Sequence, residues 1–137
     1  MVASFNSLKA PEPVGCYPHA KRVGNLLFLS GVGPRKRNSK KIPGVTVGAD
    51  GVVLDYNIKE QCVSVFDNVK LILEESGSCW ENIVDVTVFL TNIKTDFDAY
   101  NKVYESYFKS PFPTRTTVEV NALPTPIAIE LKVIATI

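Results

Sequence analysis

The chain has 137 residues, of which 45% are hydrophobic and 21% charged, a composition that suits one globular domain and excludes a disordered or fibrous chain. Fifteen basic and fourteen acidic residues leave a formal charge of +1, so no global field exists to hold a nucleic acid or an anionic membrane. The three cysteines, Cys16, Cys62 and Cys79, form no CxxC pair, which argues against a zinc ribbon or a dithiol redox motif.

Met1 to Asn6 carry no basic segment leading into an apolar run, so no secretory signal is expected. No apolar stretch approaches the roughly twenty residues that span a bilayer. A soluble protein of the reducing, cytoplasmic compartment is expected. Residues 1–14, rich in Pro, Ser and Lys, read as an irregular arm. Two short extended runs then flank Gly24-Asn25, Ala20 to Val23 and Leu26 to Ser30, and predict a hairpin.

Residues 31–55 read as one long basic loop, with five cations among the seven positions from Arg35 to Lys41. Connections of this length are uncommon and often functional, although a charge run by itself also suits a solvated surface. No Gly-rich phosphate loop ending in Lys-Ser/Thr is present. The next element is a helix. Asn57 is an N-cap with Glu60 three residues on, Ile58, Cys62, Val65, Phe66, Val69, Ile72 and Leu73 recur at helical spacing, and Ser76-Gly77 stops it. Cys62 lies in that apolar stripe and reads as a structural thiol.

Val84 to Thr91 is a β-branched strand, and a second helix is predicted over Phe97 to Lys109 with Thr95 or Asp96 as its cap. Pro111 and Pro113 end it. Two further strands are predicted over Thr116–Asn121 and Ile127–Ile137. The element order indicates an α+β domain over residues 1–137 with two helices on one face of a mixed sheet.

Period-two alternation places Arg115, Thr117 and Glu119 on one face of the first of these strands, and Glu130 with Lys132 on one face of the second. If the two strands are antiparallel neighbours, a guanidinium, a hydroxyl and a carboxylate come together. Arg grips carboxylates bidentately, a nearby carboxylate can activate water as general base, and Thr can bond a substrate nitrogen. The same residues also suit a plain cross-strand ion pair. Alone they name no reaction.

Arg115-Thr116-Thr117-Val118-Glu119-Val120, Leu123-Pro124 and Ile127-Ala128-Ile129-Glu130-Leu131 resemble the C-terminal signature of the reactive-intermediate deaminase (RidA/YjgF) family. Val14-Gly15-Cys16-Tyr17, Leu29-Ser30-Gly31, Asp85 to Thr91 and Phe97-Tyr100-Asn101 match upstream in order. Gly15 to Ala20, Gly33-Pro34-Arg35 and Ile42-Pro43-Gly44-Val45 look closest to the 2-aminomuconate deaminases. The resemblance implies a chorismate-mutase-like fold, a homotrimer and sites in clefts between subunits. It implies Arg115 as carboxylate binder and Glu130 as the acid holding the hydrolytic water, with Tyr17 and Ser30 lining the site. Thr117 stands where many members have Cys, which leaves a hydrogen-bonding group without a thiol.

The expected reaction is hydrolysis of 2-aminomuconate, through its imine, to 4-oxalocrotonate and ammonia. No cofactor and no metal are expected, since a protonated imine is already electrophilic and His19, the only histidine, excludes a three-His zinc site. Arg35 and Arg37 of the basic loop are expected to hold a second substrate carboxylate, and His19 is either a packing residue or a substrate contact. The alternatives are a general 2-iminobutanoate/2-iminopropanoate deaminase, a ribonuclease or translation inhibitor, and a non-enzymatic ligand-binding protein.

Overall fold

The computed structural model describes residues 1–137. Strands β1 (Val2–Phe5), β2 (Ala20–Val23), β3 (Leu26–Leu29), β6 (Ile83–Leu90), β7 (Thr114–Glu119) and β8 (Ile129–Thr136) form one sheet in the order β1-β2-β3-β8-β6-β7. Only β6 and β7 are parallel, joined through helix α2 (Ile93–Tyr107) as such a crossover requires. Helix α1 (Ile58–Glu75) packs beside α2, and strands β4 (Val45–Val47) and β5 (Val53–Tyr56) pair separately. No helix is long and apolar enough to cross a membrane.

The β2–β3 hairpin forms where Gly24-Asn25 predicts it, with Gly24 at φ +61°, the first central position of a two-residue turn that favours glycine. Helix α1 also matches its signals: Asn57 Oδ1 accepts the Glu60 N–H at 3.1 Å, and the chain leaves the helix at Ser76. Its apolar stripe is the centre of the core. Cys62, Val65, Phe66, Val69 and Leu73 are fully buried against Val86, Val88, Leu131 and Val133 of the sheet. Each such side chain contributes about 1.5–3 kcal/mol of burial. Burial pushes the Cys62 thiol up to about 12, as a structural thiol requires.

Four expectations are corrected. Residues 1–14 are not wholly irregular: Val2–Phe5 pairs antiparallel with β2, and the Pro-rich composition of residues 7–14 masked this short strand. The segment 31–55 is not one loop, because β4 and all but the last residue of β5 lie within it as β-branched runs beside the cation-rich stretch. Helix α2 starts one turn earlier than expected, capped by Asn92, while Asp96 is buried and accepts the Tyr56 hydroxyl at 2.7 Å. The last two strands are not neighbours. β6 lies between them, pairing parallel with β7 and antiparallel with β8.

The register sorts side chains into two faces. Val86, Val88, Leu90, Ile129, Leu131, Val133 and Ala135 face the helices and are buried. The opposite face carries Phe28, Thr87, Phe89, Val118, Glu130, Lys132 and Ile134, with no helix over it. Val23, Leu26 and Val118 on this face remain 46%, 41% and 37% exposed, so apolar side chains border Glu130 and Lys132 on a face that no element of the chain covers.

Candidate functional site

Arg115 projects from β7 toward α2. Its guanidinium carbon lies 4.6 Å from the ring centroid of Tyr104 and 5.4 Å from that of Tyr100, and Nη1 donates to Asn101 Oδ1 at 2.8 Å. Tyr100 and Tyr104, four residues apart, share one face of α2, and Asn101 stands beside them. No acid balances the arginine: the chain's one ion pair is Arg37–Glu12. Neutral groups therefore orient an exposed cation without quenching it. Thr117, two residues along the same face, shares a 2.8 Å hydrogen bond with the Tyr100 hydroxyl. Burial pushes the Tyr104 phenol up to about 12, opposed in part by Arg115, and its hydroxyl is buried with no partner.

Glu130 belongs to a second cluster. Val32 and Leu131 exchange backbone hydrogen bonds at 2.8 and 2.9 Å, which brings Gly31 against the Glu130 side chain. A Cβ at Gly31 would lie 2.7 Å from Glu130 Oε2, so a larger residue there would displace this carboxylate from its position. Burial raises the Glu130 carboxyl above the usual glutamate range, and the charge of Arg35 opposes that rise. Helix α1 fixes Arg35: Asn68 Nδ2 donates to the carbonyls of Gly33 and Arg35 at 2.9 and 2.8 Å, and Ser64 donates to Pro34. Ser30 Oγ donates to the Pro18 carbonyl at 2.7 Å, and Tyr17 OH accepts the Val14 N–H at 3.1 Å. Ser30 thus keeps lone pairs to accept, and Tyr17 keeps its proton to donate.

Tyr17, Ser30, Arg35 and Glu130 thus gather on one side and Arg115 with Thr117 on the other. The expected meeting of Arg115 and Glu130 does not occur within one chain. Phe89 of β6 stands directly beside Glu130, and Arg115 points to the helix face while Glu130 points to the open one. Two other expected substrate ligands have structural partners. His19 is buried, accepting the Ser7 N–H at Nδ1 (2.9 Å) and donating from Nε2 to the Pro11 carbonyl (2.7 Å). Arg37 donates to the carbonyls of Ser7 and Ala10 and pairs with Glu12 at 3.2 Å, so it holds the N-terminal segment. Asn101, Tyr100 and Tyr104 were not anticipated in the site. Their aromatic i, i+4 spacing reads equally as core, and only the β6–α2–β7 crossover puts a cation over it. No three His, Cys, Asp or Glu side chains cluster as metal ligands.

The endoribonuclease L-PSP family model matches residues 7–137. The chain belongs to this family, known also as RidA/YjgF. A RutC family protein of Aquifex aeolicus is 41% identical over 130 residues, covering 93% of each chain. A 2-iminobutanoate/2-iminopropanoate deaminase of Dermatophagoides farinae is 35% identical over 129 residues, covering 93% of this chain and 91% of the relative. Among solved structures, RidA of the Antarctic bacterium Psychrobacter superposes with a TM-score of 0.85 at 30% identity, over 98% of this chain and 99% of the other. The RidA/YjgF assignment agrees with the motifs, and the mixed sheet with two helices is the fold of these neighbours. The relative named here for an activity is an imine deaminase of small acids, not an aminomuconate deaminase.

Proposed function

We propose that this protein is a hydrolytic deaminase of small 2-imino acids such as 2-iminopropanoate and 2-iminobutanoate, acting as a homotrimer with sites between subunits. The observation that carries this reading is the uncompensated Arg115 guanidinium, oriented by Asn101 and two tyrosine rings. A fixed, unpaired guanidinium suits a carboxylate better than it suits structure. Arg115 and Glu130 face opposite ways, so the apolar open face supports joining them across an interface.

In this mechanism Arg115 of one subunit binds the substrate carboxylate and presents the C=N carbon to its neighbour's Glu130. Glu130 takes a proton from water as the water oxygen bonds to that carbon, giving a carbinolamine. Starting from the protonated imine, Glu130 returns that proton to nitrogen and then takes the carbinol hydroxyl proton as the C–N bond breaks, which releases ammonia and a 2-oxo acid. Tyr17 and Ser30 flank the water, and the Thr117–Tyr100 pair borders the carboxylate.

A preference for dicarboxylates such as 2-aminomuconate has weaker support, because Arg37 is occupied and Arg35 Nη2 already donates to the Glu12 carbonyl at 2.8 Å. The test is the loss of imine generated in situ, measured against its spontaneous hydrolysis. The purified protein is expected to accelerate that loss, and Arg115→Ala and Glu130→Gln to remove nearly all of the acceleration. Wild-type rates from a trimeric Arg115→Ala protein would refute the reading.

A further inference from the structure

Residues 7–14 belong to neither a strand nor a helix, and Pro11 and Pro13 carry no N–H. Backbone groups in such a segment need partners from elsewhere. Here side chains supply them at almost every position. Glu75 accepts the Ser7 hydroxyl and the Leu8 N–H at 2.5 and 2.9 Å, and His19 takes the Ser7 N–H and caps the Pro11 carbonyl. Arg37 Nη1 caps the Ser7 and Ala10 carbonyls at 3.0 and 2.9 Å, while its Nε pairs with Glu12. Arg35 caps the Glu12 carbonyl and Tyr17 takes the Val14 N–H. The segment is a strap fastened by five side chains, three of them cationic or imidazole groups that the substrate does not require.

What the strap covers gives it a use. Pro11, Glu12 and Pro13 close a cavity whose other walls include Tyr17, Ser30 and Gly31. Gly31 is the residue pressed against Glu130. The cavity is open on one side, and its narrow interior measures about 30 Å³, room for a water molecule or a short alkyl group.

We propose that the strap sets the size of substrate side chain accepted beside Glu130, and that Arg37 is the positioning residue that holds it closed. This rests on the imine-deaminase reading for its chemistry but on the strap contacts for its geometry. Fastened, the strap confines the site to methyl- and ethyl-sized groups. Released at Arg37, it leaves Glu12 and two carbonyls without partners and opens the wall.

The test compares wild type with Arg37→Ala in two measurements. Amide exchange at Ser7, Leu8 and Ala10 is expected to quicken in the variant. The kcat/KM ratio of the phenylalanine-derived imine to 2-iminobutanoate is expected to rise about tenfold, the scale of discrimination by a tight apolar pocket. Glu12→Gln, at an exposed position, keeps the size of this wall side chain while removing the charge that pairs with Arg37, and should shift both readouts the same way, which keeps the test open should Arg37→Ala fail to fold. Faster exchange with an unchanged ratio, or unchanged exchange, would overturn the proposal. Calorimetric binding of phenylpyruvate against 2-oxobutanoate needs no turnover. A protein without deaminase activity whose binding preference still shifts in Arg37→Ala would refute the deaminase reading and leave the strap standing.

Discussion

Arg115 and Glu130 lie on opposite faces of the sheet in one chain, so each proposed site draws one residue from each of two subunits. Two inactive variants should therefore rescue one another. Arg115→Ala retains an intact Glu130 side, and Glu130→Gln retains an intact Arg115 side. In a cyclic trimer every interface is heterologous, with the arginine side of one subunit always meeting the glutamate side of the next. Random reassembly of equal amounts then gives an intact site wherever a Glu130→Gln chain precedes an Arg115→Ala chain. Each position is filled independently with a probability of one half, so about a quarter of all sites are restored. The assay is imine hydrolysis after joint denaturation and refolding, with native mass spectrometry to verify mixed trimers. Recovery near a quarter of wild-type activity is expected. Parental background in verified mixed trimers would show that both residues serve one chain's site and would refute the shared-site reading.

Arg115→Ala should lower kcat/KM by about two orders of magnitude, since a bidentate charge-assisted pair contributes about 3 kcal/mol and each 1.36 kcal/mol is tenfold. Stability should change by only about 1 kcal/mol, because one hydrogen bond to Asn101 and the ring contacts are all that is lost. Burial raises the Glu130 carboxyl, so the acid limb of kcat/KM should lie above the ordinary glutamate range, and Arg35→Ala, which removes the opposing charge, should move it higher still. The same raised value means the carboxyl favours folding when protonated. Its contribution is full below the unfolded-state value and is lost as pH rises through the folded one, a dependence absent in Glu130→Gln. Phe66→Ala should cost about 3–5 kcal/mol in urea unfolding, because its ring meets Tyr107 at 4.8 Å and Trp80 at 5.9 Å in the core.

Local signals in the sequence carried the helix α1 cap, the Gly24 hairpin and the period-two faces of β7 and β8. Those features depend on a few neighbouring residues. What failed depended on pairing. Chain order suggests that the strands bearing Arg115 and Glu130 are neighbours, and nothing local reveals that β6 inserts between them. The partners of His19 and Arg37 were out of reach for a related reason. A cation such as Arg37 looks free in a loop until the distant carbonyls of Ser7 and Ala10 are placed against it, and the His19 ring finds its partners only once the Ser7 N–H and the Pro11 carbonyl are brought to it. Asn101 and the tyrosines at 100 and 104 were visible as a stripe, but their service to Arg115 exists only after the crossover brings β7 over α2.

Asn68 and Ser64 clasp residues 33–35 to helix α1, and the backbone meets that helix again at its cap, where the Asn57 N–H donates to the Gly44 carbonyl at 2.6 Å. Between those two anchor points the chain makes an excursion that no catalytic group depends on. Insertions or deletions from Lys36 to Lys41 are thereby insulated from the chemistry, except where they touch the Arg37 clasp. The excursion offers a graft site: a peptide spliced between Asn38 and Lys41 would be displayed on the surface while the scaffold beneath kept its alignment.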